Sequence, residues 1–330
     1  MALALNALFT KRARALRRAK LRAWWEGESY NEEAALAALA ANDTAGADDA
    51  LFDPPPFDMP ARLAALAVLW GEGRVRPGDD GADALEAARI GAPGEGVVAV
   101  LGPGREGPVA AFASAHAGKL EVFEWREETL EALKYGIAKS KLDARVSVAG
   151  IDLETHAFAP ASFDGLWSVD DFAYCSFPPH LAQQIMKALK PGACAVVEAY
   201  VGVRCAEFAT AFASSFVEPQ VRAHGDLLQV FADTGFVLET DDDVTEEFLT
   251  LARANFKQLA ERMGEAAKLD VSAVRELAWE AEAWRMRLRL LTQRRLERRR
   301  FVLRKNAEGG AAAPEPEPQP AAENANAPAG

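Results

Sequence analysis

The chain has 330 residues, of which 50% are hydrophobic and 26% charged, and its formal net charge is −12. Seventeen Phe and seven Trp residues supply enough large apolar side chains for a sizeable core, which excludes wholesale disorder. No run approaches the roughly 20 apolar residues of a membrane-spanning helix, and the first 20 residues place their basic side chains after a short apolar stretch, the reverse of a secretory signal.

The first 90 residues are predicted to form a helical N-terminal extension. Residues 1–47 have a helical pattern, and Asp53–Pro56 is a stiff, extended break because three consecutive prolines follow the aspartate. Two further helices are predicted, at Met59–Leu69 and then up to about Ile90. Near the start, three aromatic residues either pack against the domain or wall a pocket for a cationic head group: Trp24, Trp25 and Tyr30.

From residue 97 onward, apolar β-branched segments alternate with helical ones. This pattern predicts buried strands joined by helices, which is typical of βαβ units and of a doubly wound, mostly parallel sheet. The predicted strands are Val97–Gly104 with its terminal turn, Leu120–Trp125, Val146–Asp152, Phe163–Val169, Ala193–Val201 and, near the end, Phe236–Asp243.

Long helices are predicted for the residues after 245, with an apolar side made of Leu277, Trp279, Trp284, Leu288 and Leu291. The last residues are rich in Ala, Pro and Glu and lack large apolar side chains, which predicts a disordered tail. The predicted organisation is a helical extension at 1–90, an α/β core at 91–245, C-terminal helices at 246–306 and a tail at 307–330.

Basic residues are concentrated near the two ends of the chain. Residues 11–22 contain seven Lys or Arg and no acid, and residues 285–305 are again rich in arginine. The acidic remainder argues against nucleic acid as a partner of the central region. Three interpretations stay open for the basic ends: solvated helix faces, peripheral contact with phosphate or an anionic membrane surface, or pairing with an acidic face of the same protein.

Cysteine and histidine give no sign of a metal centre. Cys175, Cys194 and Cys205 form no CxxC pair, and the four histidines lack the spacing of metal ligands. We therefore expect no metal and no disulfide framework. A reducing, cytoplasmic location is the simplest inference from this cysteine usage.

Candidate binding residues follow the carboxyl ends of three predicted strands, where ligands of such sheets bind. Gly102-Pro103-Gly104 and Gly107 separate the first strand from a helix, and glycines there let a ligand approach the backbone. Glu124 ends the second strand, where a carboxylate can accept the hydroxyl hydrogens of a ribose. Asp152 ends the third, where it can accept from an exocyclic amine such as that of adenine. Alternatively, both acids merely solvate strand ends.

The order of these features resembles class I S-adenosylmethionine-dependent methyltransferases. The resemblance covers about residues 60–260 and includes Phe163-Asp164 and the turn Leu189–Gly192 before the fifth strand. It implies a Rossmann-like fold that binds S-adenosylmethionine. It also implies roles at the cofactor: the methionine part at the glycine turn, the ribose at Glu124, adenine at Asp152, and Val169 at the end of the fourth strand.

Short segments are similar to phosphoethanolamine N-methyltransferases in particular. They are Leu69–Gly73 with Arg76–Gly78 upstream, and Thr234–Phe236 with Asp243–Thr245 downstream. This similarity implies a small-molecule methyl acceptor that is an amine or a phospho-amine.

The chain also departs from the family. Val100 replaces an acid, Glu106 replaces the third glycine, and Tyr174 stands where the phosphoethanolamine group has a histidine. These departures keep a second hypothesis open, a catalytically degenerate methyltransferase-fold protein that acts as a binding or scaffold subunit.

The candidate catalytic residues follow the fourth strand, beside the expected position of the methyl group. They are Asp170, Asp171 and Tyr174. Positioning alone supplies much of the acceleration of methyl transfer, and a base is needed only when the acceptor still carries its proton. The competing interpretation of this segment is a hydrated loop with one packed tyrosine.

Overall fold

The computed structural model describes residues 57–202, 220–266 and 268–307. The predictions made for residues 1–56, for Cys205 and for the tail beyond residue 307 lie outside these residues. The strands are β1 Val97–Leu101, β2 Lys119–Glu124, β3 Val146–Gly150, β4 Phe163–Val169, β5 Leu189–Gly202, β6 Arg222–Ala223, β7 Val237–Asp243 and β8 Leu296–Arg304. The helices are α1 Ala61–Trp70, α2 Asp80–Ile90, α3 Glu106–Ala115, α4 Glu127–Lys139, α5 Pro178–Ala188, α6 His224–Thr234, α7 Thr245–Ala266 and α8 Val271–Thr292.

All eight strands belong to one sheet, in the order β3-β2-β1-β4-β5-β8-β7, with the short β6 paired to β5. β1 to β5 are parallel, whereas β8 runs antiparallel to both β5 and β7. β1 lies between β2 and β4, so the strand order reverses at the carboxyl end of β1. Such a switch point is where open α/β sheets bind their ligands.

Burial on both faces explains why β1 is a continuous apolar run. Val98 and Val100 pack on one side of the sheet with side chains of α3 and α4. Ala99 and Leu101 point the other way and pack with α5 and α6. The side chains of a strand alternate between faces, so each face needs its own apolar set. Helices on both faces confirm the predicted doubly wound α/β sheet.

A third apolar cluster connects α1, α7 and α8. Trp70 of α1 lies 4.7 Å from Trp284 of α8 and 5.1 Å from Phe256 of α7, measured between ring centroids. The cluster also includes Tyr200, near the carboxyl end of β5. These three helices therefore cover the edge of the sheet where the parallel strands end, and this edge carries the candidate site.

The predicted extent of the C-terminal helices is wrong at its end, because Leu296–Arg304 is a strand and not part of a helix. Its residues alternate between buried and half-buried over most of its length, as the pleat of a strand requires. The pattern is hard to detect in the sequence because two of the inward-facing residues are arginines, Arg298 and Arg300, which are 2% and 5% exposed. Another correction concerns Trp279, which is 58% exposed and does not belong to an apolar core face.

The arginines of β8 form the last part of the C-terminal basic run. Arg299 donates to Asp241 of β7 at 2.6 and 2.9 Å, and Arg304 pairs with Glu239 of the same strand. Arg298 and Arg300 pair with buried acids inside the protein. The part of the run in β8 therefore pairs with acids of its own chain, whereas Arg285 and Arg289 lie exposed on α8. The N-terminal basic run lies outside the described residues.

No helix in the described ranges is both long and apolar enough to cross a membrane. Within the same ranges, no group of three or more His, Cys, Asp or Glu side chains is placed to hold a metal ion. Cys175 and Cys194 are buried free thiols.

Candidate functional site at the carboxyl end of the sheet

The glycine turn after β1 has a left-handed backbone at two positions. Gly102 has φ +65° and Gly104 has φ +81°, conformations that favour glycine. A Cβ at Gly102 would collide with the carboxylate of Asp171, and one at Gly104 would collide with the side chain of Val75. The turn is therefore specified by its own backbone and by the side chains of Asp171 and Val75 that pack against it.

This geometry predicts a large cost for Gly102→Ala. We expect the free energy of unfolding to fall by about 2 kcal/mol, because a left-handed alanine is strained and its methyl group displaces a buried carboxylate. Urea denaturation would measure the loss. Gly225→Ala is the control: this glycine has no neighbour within 4 Å of an added Cβ in the described structure, and its φ is not left-handed. It lies in α6, so alanine there should leave stability equal or slightly higher. Equal stability of the two variants would contradict the prediction.

Glu124 connects the end of β2 to this turn. Its carboxylate is buried and accepts from the Gly104 N–H at 2.8 Å. It also accepts from Arg126, through the backbone N–H at 2.9 Å, Nε at 2.7 Å and Nη2 at 3.2 Å. Nη2 donates to the carbonyl of Gly102 as well, at 2.8 Å. Sequence reasoning found Glu124 and missed Arg126, which directly contacts both the acid and the turn.

Asp171 lies beneath the turn and has no exposed surface. It accepts from Ser168 Oγ at 2.7 Å, from the Val169 N–H at 3.1 Å and from Trp125 Nε1 at 2.8 Å. Burial raises the pKa of Asp171 to about 7. The residue fixes the ends of β2 and β4 relative to each other, and Val169, itself buried in the core, contributes a backbone donor to this arrangement.

Two of the predicted catalytic residues, Asp170 and Tyr174, line a cavity. Asp170 has a left-handed backbone, with φ +66°, and its carboxylate accepts from Arg298 Nη1 at 2.5 Å. The ring of Tyr174 lies 4.5 Å from that of Trp125, with 38° between the ring planes. Asp152, by contrast, is exposed, and its carboxylate accepts from the Glu154 N–H at 2.8 Å.

The cavity has a volume of about 260 Å³ and lies between α1, α8 and the glycine turn. Of the predicted site residues, its wall contains Gly102, Asp170 and Tyr174, whereas Glu124 and Asp152 do not line it. Sequence reasoning missed its charged lining, which comes from separate segments: Arg62, Arg76, Arg126, Arg287, Glu276 and Glu280. Trp279 and Trp284 add aromatic surface. No spacing signal in the sequence brings these segments together.

The two departures from the family motif have different environments. Val100 is fully buried in the core, so it does not face the cavity. Glu106 pairs with Arg105, whose Nε and Nη2 donate to it at 2.7 and 2.8 Å. Its negative charge is therefore compensated within the chain. Gly107 donates its N–H to Gly73 O at 2.9 Å, and Pro103 O accepts from Arg76 at 3.4 Å, so both are tied to the segment upstream of α2.

Several solved structures share this architecture. Phosphoethanolamine N-methyltransferase 2 of Haemonchus contortus, in complex with phosphomonomethylethanolamine and S-adenosylhomocysteine, has a TM-score of 0.64 at 21% identity, over 74% of this chain and 57% of that enzyme. A Galdieria sulphuraria protein described as a sarcosine dimethylglycine methyltransferase scores 0.62 at 13% identity, over 75% of this chain and 98% of that one. The [4+2]-cyclase SpnF scores 0.58 at 15% identity, over 76% and 98%.

No protein-family model matches the chain, and no curated protein matches its sequence. The structural likeness confirms the predicted Rossmann-like methyltransferase fold. At these identities it establishes the fold alone. The presence of a cyclase among the neighbours illustrates that one fold hosts different reactions, so function must be argued from the site.

Proposed function

We propose that the chain binds S-adenosylmethionine at the glycine turn and Glu124, and transfers its methyl group to a small molecule held in the adjoining cavity. One observation carries the proposal. The turn Gly102–Gly104 and the buried carboxylate of Glu124 form a single hydrogen-bonded unit at the switch point of the sheet, and Gly102 is also part of the cavity wall.

The residues at this site can bind S-adenosylmethionine through backbone groups and through a negative charge. Gly102 presents backbone rather than a side chain toward the cavity, and a carboxylate at the end of β2 is suited to ribose hydroxyls. Trp125 and Tyr174, in contact at the same edge, offer apolar ring surface. When bound, S-adenosylmethionine supplies an electrophilic methyl group on a sulfonium. The residues of this chain would orient the acceptor, with Asp170 in the cavity wall as the candidate to receive its proton and Tyr174 as a hydrogen-bond partner.

We propose an acceptor that carries an anionic group as well as an amine. Four guanidinium groups line the cavity, from α1, the segment before α2, the end of β2 and α8. Guanidinium is suited to bidentate binding of phosphate. A phospho-amine supplies that anion, and the exposed aromatic surface of Trp279 suits the cationic amine end. The neighbour from Haemonchus contortus, which was solved with phosphomonomethylethanolamine, supports this class of acceptor.

Calorimetric titration with S-adenosylmethionine and with S-adenosylhomocysteine tests the cosubstrate. We expect micromolar binding that Glu124→Ala weakens at least about tenfold, because a charge-assisted hydrogen bond is lost. Glu131→Ala is the control, since Glu131 is an exposed residue of α4 that pairs with Lys134. Absence of binding at millimolar concentration would overturn the proposal.

Titration with phosphomonomethylethanolamine and with its unphosphorylated counterpart, in the presence of S-adenosylhomocysteine, tests the acceptor. We expect the phosphorylated compound to bind more tightly, by about tenfold or more, because the phosphate meets guanidinium groups. Equal affinity for the two compounds, or preference for the unphosphorylated one, would contradict an anionic acceptor.

A specific observation favours a second candidate, a binding or scaffold subunit without catalysis. In the structure, Arg126 takes the carboxylate of Glu124 that the cosubstrate needs, and the rings of Trp125 and Tyr174 touch. If these contacts are permanent, the site is closed. The titration above separates the two functions, because a closed site binds neither S-adenosylmethionine nor its demethylated product.

A further inference from the structure

Arg126 contacts several groups of the candidate site, although no sequence motif points to this residue. Its guanidinium donates to both carboxylate oxygens of Glu124 and to the carbonyl of Gly102. It also lies over the ring of Trp125, with Cζ 4.5 Å from the centroid. Unlike Glu124, whose side chain has no exposed surface, the Arg126 side chain is 23% exposed and forms part of the cavity wall.

The carboxylate of Glu124 is saturated in this arrangement. It receives four hydrogen bonds, from the Gly104 N–H and from the backbone N–H, Nε and Nη2 of Arg126. A carboxylate has about four lone-pair directions. Ribose hydroxyls can therefore bind Glu124 only if an existing donor leaves. The two backbone donors are held by the turn and by the start of α4, whereas the guanidinium can leave by side-chain rotation alone.

A guanidinium that leaves Glu124 needs a new anion. Burial alone would lower the pKa of Arg126, but its ion pair with Glu124 outweighs this and raises the pKa, so the side chain stays charged. Of the three acids in the cavity wall, Asp170 pairs with Arg298 at 2.5 Å and Glu280 with Arg62 at 2.5 Å, and Glu276 is the third. Arg62, Arg76 and Arg287 line the same cavity and add positive charge there. An anionic ligand in the cavity would therefore meet the released guanidinium.

We propose that Arg126 exchanges partners during binding: it occupies Glu124 in the empty site and transfers to an anionic group in the cavity when the cosubstrate takes Glu124. This inference rests on the proposed function and adds a coupling to it. Because each ligand removes the obstacle to the other, cosubstrate and anion promote each other's binding by the same factor. The empty site is then closed by its own ion pair, and the two ligands open it together.

The exchange is tested by whether the affinity for S-adenosylhomocysteine rises or falls when Arg126 is replaced. In Arg126→Met, Glu124 has lost its competing donor, so we expect S-adenosylhomocysteine to bind at least about tenfold more tightly by calorimetry. If Arg126 only positioned Glu124, the same substitution would weaken binding. Arg126→Gln keeps a hydrogen-bonding group without the charge and should shift affinity in the same direction by less. Arg285→Met is the control, because Arg285 is exposed, pairs with Glu282 on α8 and does not line the cavity.

The wild-type chain gives a second measurement that needs no variant to fold. Titration with S-adenosylhomocysteine is repeated with inorganic phosphate at constant ionic strength. We expect phosphate to increase the affinity at least about threefold, and we expect the increase to disappear in Arg126→Met. An affinity that phosphate leaves unchanged or lowers would overturn the exchange.

The outcomes also separate this inference from the proposed function. Binding by the wild type that weakens in Arg126→Met overturns the exchange and leaves the function standing. Binding by the variant alone means that Arg126 holds the wild-type site closed, which supports the second candidate function and overturns both the proposed methyl transfer and the exchange. Absence of binding by the wild type and by every variant overturns the proposed function, and the exchange with it.

Discussion

Replacing Arg298 by alanine is expected to lower the free energy of unfolding by about 4 kcal/mol, because it leaves two buried carboxylates without their counter-charge. Arg298 is 2% exposed and donates to Asp170 at 2.5 Å and to Glu198 at 3.0 Å. Its Cζ also lies 4.6 Å from the ring centroid of Tyr200 and 4.8 Å from that of Phe248. The truncation removes charge and packing at once, and urea denaturation of the wild type and the variant measures the loss.

Arg304→Ala is the matched control on the same strand. Its partner is Glu239, both side chains are more than a third exposed, and exposed ion pairs contribute at most about 1 kcal/mol. Arg298→Lys refines the comparison, since it keeps the charge but loses the planar fork that reaches two acids. If Arg298→Ala and Arg304→Ala lower the free energy of unfolding equally, the burial of the Arg298 ion pairs does not raise their contribution, and the prediction is wrong.

The order of the buried strands could be predicted because each depends on local sequence. β1 and β4 are apolar along their length and are followed by turns and helices, so their existence and their neighbours follow from βαβ rules. Glu124 and the turn Gly102–Gly104 were found for the same reason, since both occur at predictable strand ends. Burial of β1 on both faces of the sheet is the physical basis of that success.

The contacts that close the site could not be predicted, because they join distant parts of the chain. Arg298 reaches Asp170 across 128 positions, and Arg62 reaches Glu280 across 218. The alternation of β8 is hidden in the sequence by its inward-facing arginines, and those arginines are tolerated inside only because acids from other elements neutralise them. Arg126 was missed for a different reason: an arginine two residues after an acid has no distinctive spacing.

A cluster of buried charges extends from Arg298 toward α2. Arg300 Nη2 lies 3.0 Å from Glu86 Oε1, 3.3 Å from Glu198 Oε1 and 3.0 Å from Glu247 Oε1, so one guanidinium pairs with three acids. Burial would raise the pKa of Glu198, but its neighbouring arginines, Arg298 foremost, outweigh burial and lower it. Glu86 has fewer such partners, and within the described structure its buried Oε2 has no hydrogen-bond partner. The pKa of Glu198 therefore lies below its ordinary value, and the pKa of Glu86 lies above it.

Glu86 should make the protein less stable as the pH rises from about 4.5 to about 7. Burial, together with the charge of Glu198, raises the pKa of Glu86 from 4.5 to about 7. Between these two values the folded chain binds a proton that the unfolded chain releases, so the stability from this group is complete below pH 4.5 and is lost as the pH passes 7. A shift of this size corresponds to about 3 kcal/mol.

Glu86→Gln removes the titrating group while keeping its size, so the variant should gain stability relative to the wild type across this range. We expect the two proteins to be similar near pH 5, and the variant to be more stable by about 2–3 kcal/mol at pH 7.5, where the wild type holds an ionised, buried Glu86. Urea denaturation at several pH values measures the difference. Glu131→Gln, at an exposed position of α4, should leave the pH profile unchanged. A difference between Glu86→Gln and the wild type that does not grow with pH would mean that Glu86 is already ionised at pH 5, with Arg300 and Arg89 neutralising it fully.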